Sequence, residues 1–204
     1  LPRKRLFSLL DHARKKPVIW ICGPPGAGKT VLVSSYIEGR RMPSLWYQVD
    51  EGDSDAASFF YYMGLAAKKA APSKKRPLPP LTPEYLPGLS TFTRRYFENL
   101  YNRLKAPSCL VFDNCQDVPE DSGFYGIIRE GFKAIPSGVN VIMLCRNCPP
   151  DFLARMEMNH LMEVIGWDDL RLTPEESEGV MRLKLKGRLS KEMLQECHNK
   201  TNGW

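Results

Sequence analysis

Apolar residues in this chain gather in five short blocks, separated by longer stretches in which they recur every three or four positions. The blocks are Val18–Cys22, Leu45–Val49, Cys109–Phe112, Val139–Leu144 and Leu161–Ile165. Runs this short, rich in β-branched and aromatic residues, predict strands buried on both faces of a sheet. The spacing between them predicts helices over Lys29–Glu38, with Gly39 as the stop, and over Ala56–Ala71, Tyr85–Leu104 and Gly123–Ala134. Strand and helix therefore alternate as far as Ile165. Parallel neighbours need long crossover connections, so this alternation predicts an α/β fold, a parallel sheet with helices on both faces.

Beyond Ile165 no further strand is predicted. Thr173-Pro-Glu-Glu176 has the spacing of a capping box with proline at the first helical position, and Ser190 is placed to cap a second short helix through about His198. The stretch Ala71–Pro83 is too proline-rich for a helix or a central strand and reads as an exposed loop. The chain starts at Leu1 and stops at Thr201-Asn-Gly-Trp204, within sequence that reads as ordered, so a fragment of a larger protein is expected.

Chemistry enters at the end of the first block. Gly23-Pro24-Pro25-Gly26-Ala27-Gly28-Lys29-Thr30 satisfies G-x-x-x-x-G-K-[ST], with a buried strand before it and a helix, opening through Val31, after it. In that context the loop's N–H groups face a β-phosphate, the helix N-terminus adds positive potential, Lys29 neutralises β/γ oxygens and the Thr30 hydroxyl is a ligand for Mg²⁺. Such a site needs an acid on the metal side at the end of another buried strand, and Asp113 supplies it. Many P-loop ATPases carry at the next position a second acid that polarises the attacking water. Here that position is Asn114, whose amide accepts no proton, and Asp117 and Glu120 are the nearest alternative acids. Arg146 follows the fourth block. It is either a reader of the γ-phosphate at the sheet's C-terminal edge or an ordinary surface arginine.

Composition narrows the rest. With 43% hydrophobic and 25% charged residues, disordered, collagen-like and coiled-coil classes are excluded, and no apolar run approaches the roughly 18–20 residues of a membrane span. The net charge of +6 collects in short clusters: Arg3-Lys4-Arg5, Arg14-Lys15-Lys16, Lys68-Lys69 and Lys74-Lys75-Arg76. They read as a solvated basic face or as attraction for phosphates, nucleic acid or an acidic partner. Most of the six cysteines border or lie inside buried runs, which reads as free thiols in a reducing cytoplasm. Cys145-Arg-Asn-Cys148 lacks a second pair or a nearby histidine and is not read as a zinc or redox motif. Asp50-Glu-Gly-Asp-Ser-Asp55 lacks the order of a calcium loop and reads as a turn in which Ser54 or Asp55 caps the next helix.

The set Pro2-Arg-Lys-Arg-Leu6, the P-loop, Trp46–Asp55, Leu110–Asn114, Leu144-Cys-Arg146 with Pro149-Pro150, Leu170–Glu176 and Thr201-Asn-Gly-Trp204 resembles the nucleotide-binding domain of the signal-transduction ATPases with numerous domains. Within these it is similar to the bacterial maltose-activator and LuxR-like transcriptional regulators. The resemblance implies a five-stranded P-loop sheet with the Arg146 strand between those of the P-loop and Asp113, a nucleotide-binding domain at 1–167 and the start of a helical subdomain at 168–204. It implies ATP/ADP and Mg²⁺ as ligands, with ADP holding a closed monomer and ATP favouring self-association. Arg146 then matches a sensor arginine, and the segment holding Arg5 lies near the adenine. DNA would be bound only through domains outside this chain, in the cytoplasm, without a membrane. Asn114 departs from the usual acid pair, which puts fast hydrolysis in doubt and suits a switch. A P-loop enzyme in its own right, a kinase or an ATPase acting on nucleic acid, is the alternative.

Overall fold

A computed structural model describes residues 3–73, 76–184 and 190–203. Of the sequence features above, Pro2, Lys74, Lys75 and Trp204 lie outside the described residues. The five apolar blocks form β1 (Val18–Cys22), β2 (Ser44–Gln48), β3 (Ser108–Asp113), β4 (Val139–Cys145) and β5 (Met162–Ile165). All pair in parallel in the order β2-β3-β4-β1-β5, so β4 separates the strand that ends at the P-loop from the strand that ends at Asp113. The alternation of elements predicts the parallel sheet, and the place of β4 is the one that the resemblance implies.

The two-residue side-chain period of the strands divides the core into two layers. Ile19, Ile21, Val111, Ile142 and Leu144 face α1 (Lys4–Ala13) and α2 (Lys29–Gly39), meeting Leu6, Leu10, Val33 and Tyr36. Val18, Trp20, Leu110, Phe112 and Met143 face the other way, toward α3 (Ala56–Ala70), α4 (Leu89–Tyr101) and α5 (Gly123–Phe132), where Phe59, Phe60, Phe97 and Phe124 form an aromatic layer. Tyr36 donates a hydrogen bond of 2.7 Å to Asp11, which ties α2 to α1. Asn140, buried in β4, donates to the carbonyls of Arg14 and Lys16 at 3.0 and 2.8 Å and accepts from the Arg14 guanidinium at 3.1 Å, closing the turn between α1 and β1.

One predicted helix is divided, and another helix stands where none is predicted. The segment expected as one helix over Tyr85–Leu104 is a 3₁₀ stretch, Pro83–Gly88, followed by α4. Pro87 lacks an N–H to donate and Gly88 weakens helix, so the α-helical ladder starts only at Leu89. Lys4–Ala13, for which no element is predicted, is a helix that buries Leu6, Leu10 and Ala13 at a spacing of four and three. The acidic turn is structural, as expected. Asp55 accepts from the Ser58 N–H at 2.8 Å and caps α3, and Tyr47 donates to buried Asp53 at 2.5 Å.

The chain continues through α6 (Ala154–Met158), which precedes β5, and α7 (Trp167–Leu170), which follows it, to α8 (Pro174–Lys184) and α9 (Lys191–Thr201). The predicted capping box is present, with the Thr173 hydroxyl accepting from the Glu176 N–H at 3.2 Å and the Glu176 carboxylate from the Thr173 N–H at 3.1 Å. Ser190 caps α9 through the Met193 N–H. Among the described residues no helix is long and apolar enough to cross a membrane.

Candidate functional site

The site lies outside the carboxyl ends of β1, β3 and β4, where parallel sheets of this kind bind their ligands. Gly26 and Gly28 have φ of 82° and 79°, a left-handed conformation that a side chain disfavours, and they turn the loop back over the end of β1. Gly28 caps α2 without a side-chain hydrogen bond, so the first-turn N–H groups remain directed at the space where a phosphate would sit. Lys29 Nζ donates to the carbonyls of Gly23 at 2.6 Å and Pro24 at 3.1 Å. Partial burial lowers the pKa of its ammonium; Arg146 pushes the same way, while the Asp113 carboxylate pulls against it. A phosphate at the loop would supply the anionic partner that this cation has only in part.

Thr30 donates to Asp113 Oδ1 at 3.3 Å, which brings the two proposed Mg²⁺ ligands from α2 and β3 to one point. The donors are hard oxygens, one of them a buried carboxylate, and Mg²⁺ in phosphate sites takes one or two such groups together with phosphate and water. The residues present therefore fit the ion. Asn114 follows in the left-handed region at φ 64°, which asparagine tolerates, and its N–H donates to Asp113 Oδ1 at 3.0 Å, fixing that carboxylate.

A cavity of about 410 Å³ joins Lys29, Thr30, Asp113, Asn114, Gln116 and Arg146, with Pro25 and Val31 at its edge. The strand order thus gathers residues from three distant segments, and exposed Arg146 reaches the cavity from the turn after β4. The alternative acids are elsewhere. Asp117 accepts from the Gln116 amide at 3.0 Å and does not line this cavity, and Glu120 lies by Cys148 and Pro149. Gln116, a cavity residue, carried no motif by which the sequence marked it.

A second cavity, of about 220 Å³, adjoins the first across Gly26, Gly28 and Val31. Its walls are largely apolar: Phe7 from α1, Ala27 and Leu32 by the P-loop, Trp167 and Leu170 from α7, and Leu172. A planar base fits such walls. Arg3, rather than Arg5, lines it. Arg5 donates to the carbonyls of Asp169 and Arg171 at 2.8 and 3.0 Å, while Arg3 donates to Glu176 at 2.9 Å and to the Arg171 carbonyl at 2.7 Å. Burial works against the charge of Glu176, but Arg3, the Thr173 N–H and Arg5 outweigh it and hold its pKa below the usual glutamate value. Phe7 and Trp167 carry no sequence motif, because apolar walls contributed by segments some 160 residues apart share no local pattern; Leu170 belongs to a segment that carries the resemblance, with no place at the site implied for it.

Comparison with known proteins agrees with this geometry. The family described as Nephrocystin 3, N-terminal, matches residues 3–75. Over 99% of its length the chain is similar, at 22% identity, to the HTH-type transcriptional regulator MalT of Vibrio cholerae, and it spans 22% of that protein. The resemblance to maltose-activator-type ATPase domains is therefore met along the whole chain. Among solved structures, a Walker-type ATPase of Pyrococcus abyssi matches with a TM-score of 0.58 at 13% identity, covering 98% of this chain and 62% of that one. The ORC1 protein of Aeropyrum pernix, solved in complex with DNA, matches at 0.52 and 14% identity, over 91% and 50% of the two chains. AMPPCP-bound DnaA from Aquifex aeolicus matches at 0.50 and 14%, over 96% and 56%. These likenesses show the P-loop ATPase fold.

Proposed function

We propose that this chain is the nucleotide-binding switch of a larger, cytoplasmic, multidomain transcriptional regulator. It binds ATP and ADP with Mg²⁺, hydrolyses ATP slowly, and couples the bound state to self-association, while DNA is contacted by domains outside this chain. Residues 1–167 would carry the nucleotide and 168–204 would begin the helical subdomain that responds to it. The observation that carries this reading is the convergence of Lys29, Thr30, Asp113 and Arg146 on one cavity with an amide, Asn114, where a general base would stand. The likeness to a transcriptional regulator along the whole chain supports the regulatory half.

In this reading Gly23–Val31 wraps the phosphates and Lys29 leaves its loop carbonyls for β/γ oxygens. Mg²⁺, held by Thr30 and Asp113, would neutralise charge on the same oxygens when bound. The adenine would occupy the cavity between Phe7 and Trp167. Replacing Lys29 by alanine is expected to weaken both nucleotides by about 1.5–3 kcal/mol, the scale of one hydrogen bond to a charged group. Calorimetry showing wild-type affinity in that variant would remove Lys29 from the site.

Arg146 tests the switch itself. Only the triphosphate presents the group it is placed to read, so Arg146→Ala should lose affinity for ATP and keep it for ADP, the difference amounting to roughly tenfold. Equal losses for both nucleotides, measured by competition against a fluorescent ADP, would make Arg146 a surface residue and leave the switch without its reader.

A further inference from the structure

Cys22 and Cys145 end neighbouring strands in register, and the turn after β4 brings a third cysteine back to them: Cys148 Sγ lies 3.7 Å from Cys22 Sγ. Cys148 thus contacts Cys22, a residue outside its own C-x-x-C spacing. Cys148 faces a residue 126 positions away, which is why the sequence did not reveal it. The two sulfurs differ in access, with Cys22 buried and Cys148 exposed. The turn between them is anchored, because Trp20 Nε1 donates to the Asn147 carbonyl at 3.0 Å.

From this geometry we propose that Cys22 and Cys148 are a peroxide-responsive dithiol whose oxidation to a disulfide ties the start of the phosphate-binding loop to the turn that carries Arg146. The exposed Cys148 sulfur takes an oxygen from hydrogen peroxide, becoming a sulfenic acid by two-electron oxidation while the peroxide is reduced and one water leaves. The Cys22 sulfur then attacks Cys148. The S–S bond forms, the S–O bond breaks, and the departing hydroxide takes the Cys22 proton as a second water. Two thiols and one peroxide give one disulfide and two waters. The order of events follows from access, since Cys148 is exposed and meets the peroxide while Cys22 is buried. Burial, and then the neighbouring Cys148 thiol, push the Cys22 thiol up to about 12, which makes its attack the slower step. Closure shortens the sulfur separation from 3.7 Å to about 2.0 Å. The strain falls on the nucleotide site, since Gly23, next to Cys22, holds Lys29 through its carbonyl, and Arg146 lies two residues before Cys148. This consequence rests on the nucleotide reading above; formation of the disulfide does not.

The test treats the native chain with hydrogen peroxide, blocks free thiols, and maps the digested peptides by mass spectrometry. The expected product links Cys22 to Cys148, is reversed by dithiothreitol, is lost in Cys148→Ser and survives in Cys145→Ser and Cys197→Ser. The oxidised protein should bind ADP roughly tenfold more weakly than the reduced one, because the linkage pulls on the residue next to Gly23, whose carbonyl holds Lys29. A Cys148 that advances to sulfinic acid with Cys22 still free, or that links to Cys145 or to a second copy, would overturn the proposal, as would equal ADP affinity in the linked and reduced proteins. Reduced protein that binds no nucleotide would instead fault the nucleotide reading, and the peptide map would still decide the dithiol.

Discussion

Asn114→Asp is expected to raise single-turnover ATP hydrolysis by about 10²–10⁴-fold, the usual contribution of a positioned general base, and to leave Mg²⁺–ATP affinity nearly unchanged. The position already faces the phosphate cavity beside Asp113, so the substitution replaces an amide by a carboxylate without moving the backbone. Aspartate tolerates the left-handed conformation at φ 64° about as well as asparagine. The contrasting change is Asp113→Asn. It removes the metal-side carboxylate that Thr30 and the Asn114 N–H both contact, and should abolish the Mg²⁺ dependence of binding rather than change only the rate. Wild-type turnover should lie well below the roughly 1–100 s⁻¹ of kinases. Rapid wild-type turnover, or an Asn114→Asp protein no faster than wild type, would mean that the base is elsewhere, and the enzyme reading would gain.

The largest effect on stability is expected at Trp20. Its side chain is wholly buried in the middle of β1, on the face toward α3–α5, and its indole N–H holds the turn after β4. Trp20→Ala should cost about 3–5 kcal/mol, from lost burial plus the cavity left between strand and helices. Trp20→Phe keeps much of the ring and loses the hydrogen bond to Asn147, which leaves that carbonyl to water or unpaired, at about 1–3 kcal/mol. Urea unfolding of the three proteins gives both numbers. An alanine variant within about 1 kcal/mol of wild type would show that this part of the core relaxes around the loss. Because the same residue anchors the Arg146 turn, Trp20→Phe should also narrow the difference between ATP and ADP affinities.

The parts of the site that were legible are those written locally. The P-loop is a contiguous pattern between a buried strand and a helix, and Asp113 closes an unbroken apolar run, so each announced itself without knowledge of the fold. The sheet followed from five such runs, although only β1, β3 and β4 are buried on both faces as expected. The edge strands β2 and β5 have one neighbour each and are partly exposed. Arg146 and Asn114 were legible as residues, but their spacing did not make them neighbours; the position of β4 between β1 and β3, which only the resemblance implied, brings them to one cavity. The base-sized cavity and the Cys22–Cys148 pair were not legible at all. Both are made by side chains from segments more than a hundred residues apart, and neither an apolar wall nor a pair of thiols imposes a spacing on the chain. Lys4–Ala13 was missed for another reason. Its first turn is marked by the charges of Lys4 and Arg5, while Leu6, Leu10 and Ala13 supply the buried face.

The central claim, that this chain is an adenine-nucleotide switch with slow turnover, is tested most directly by the nucleotide that remains with the purified protein. Acid extraction followed by anion-exchange chromatography identifies and counts it. The site described here predicts adenine nucleotide close to stoichiometric with the chain, ADP in excess of ATP, and its loss in Lys29→Ala. Guanine nucleotide in its place, or an empty protein that takes up neither ATP nor ADP on titration, would contradict it.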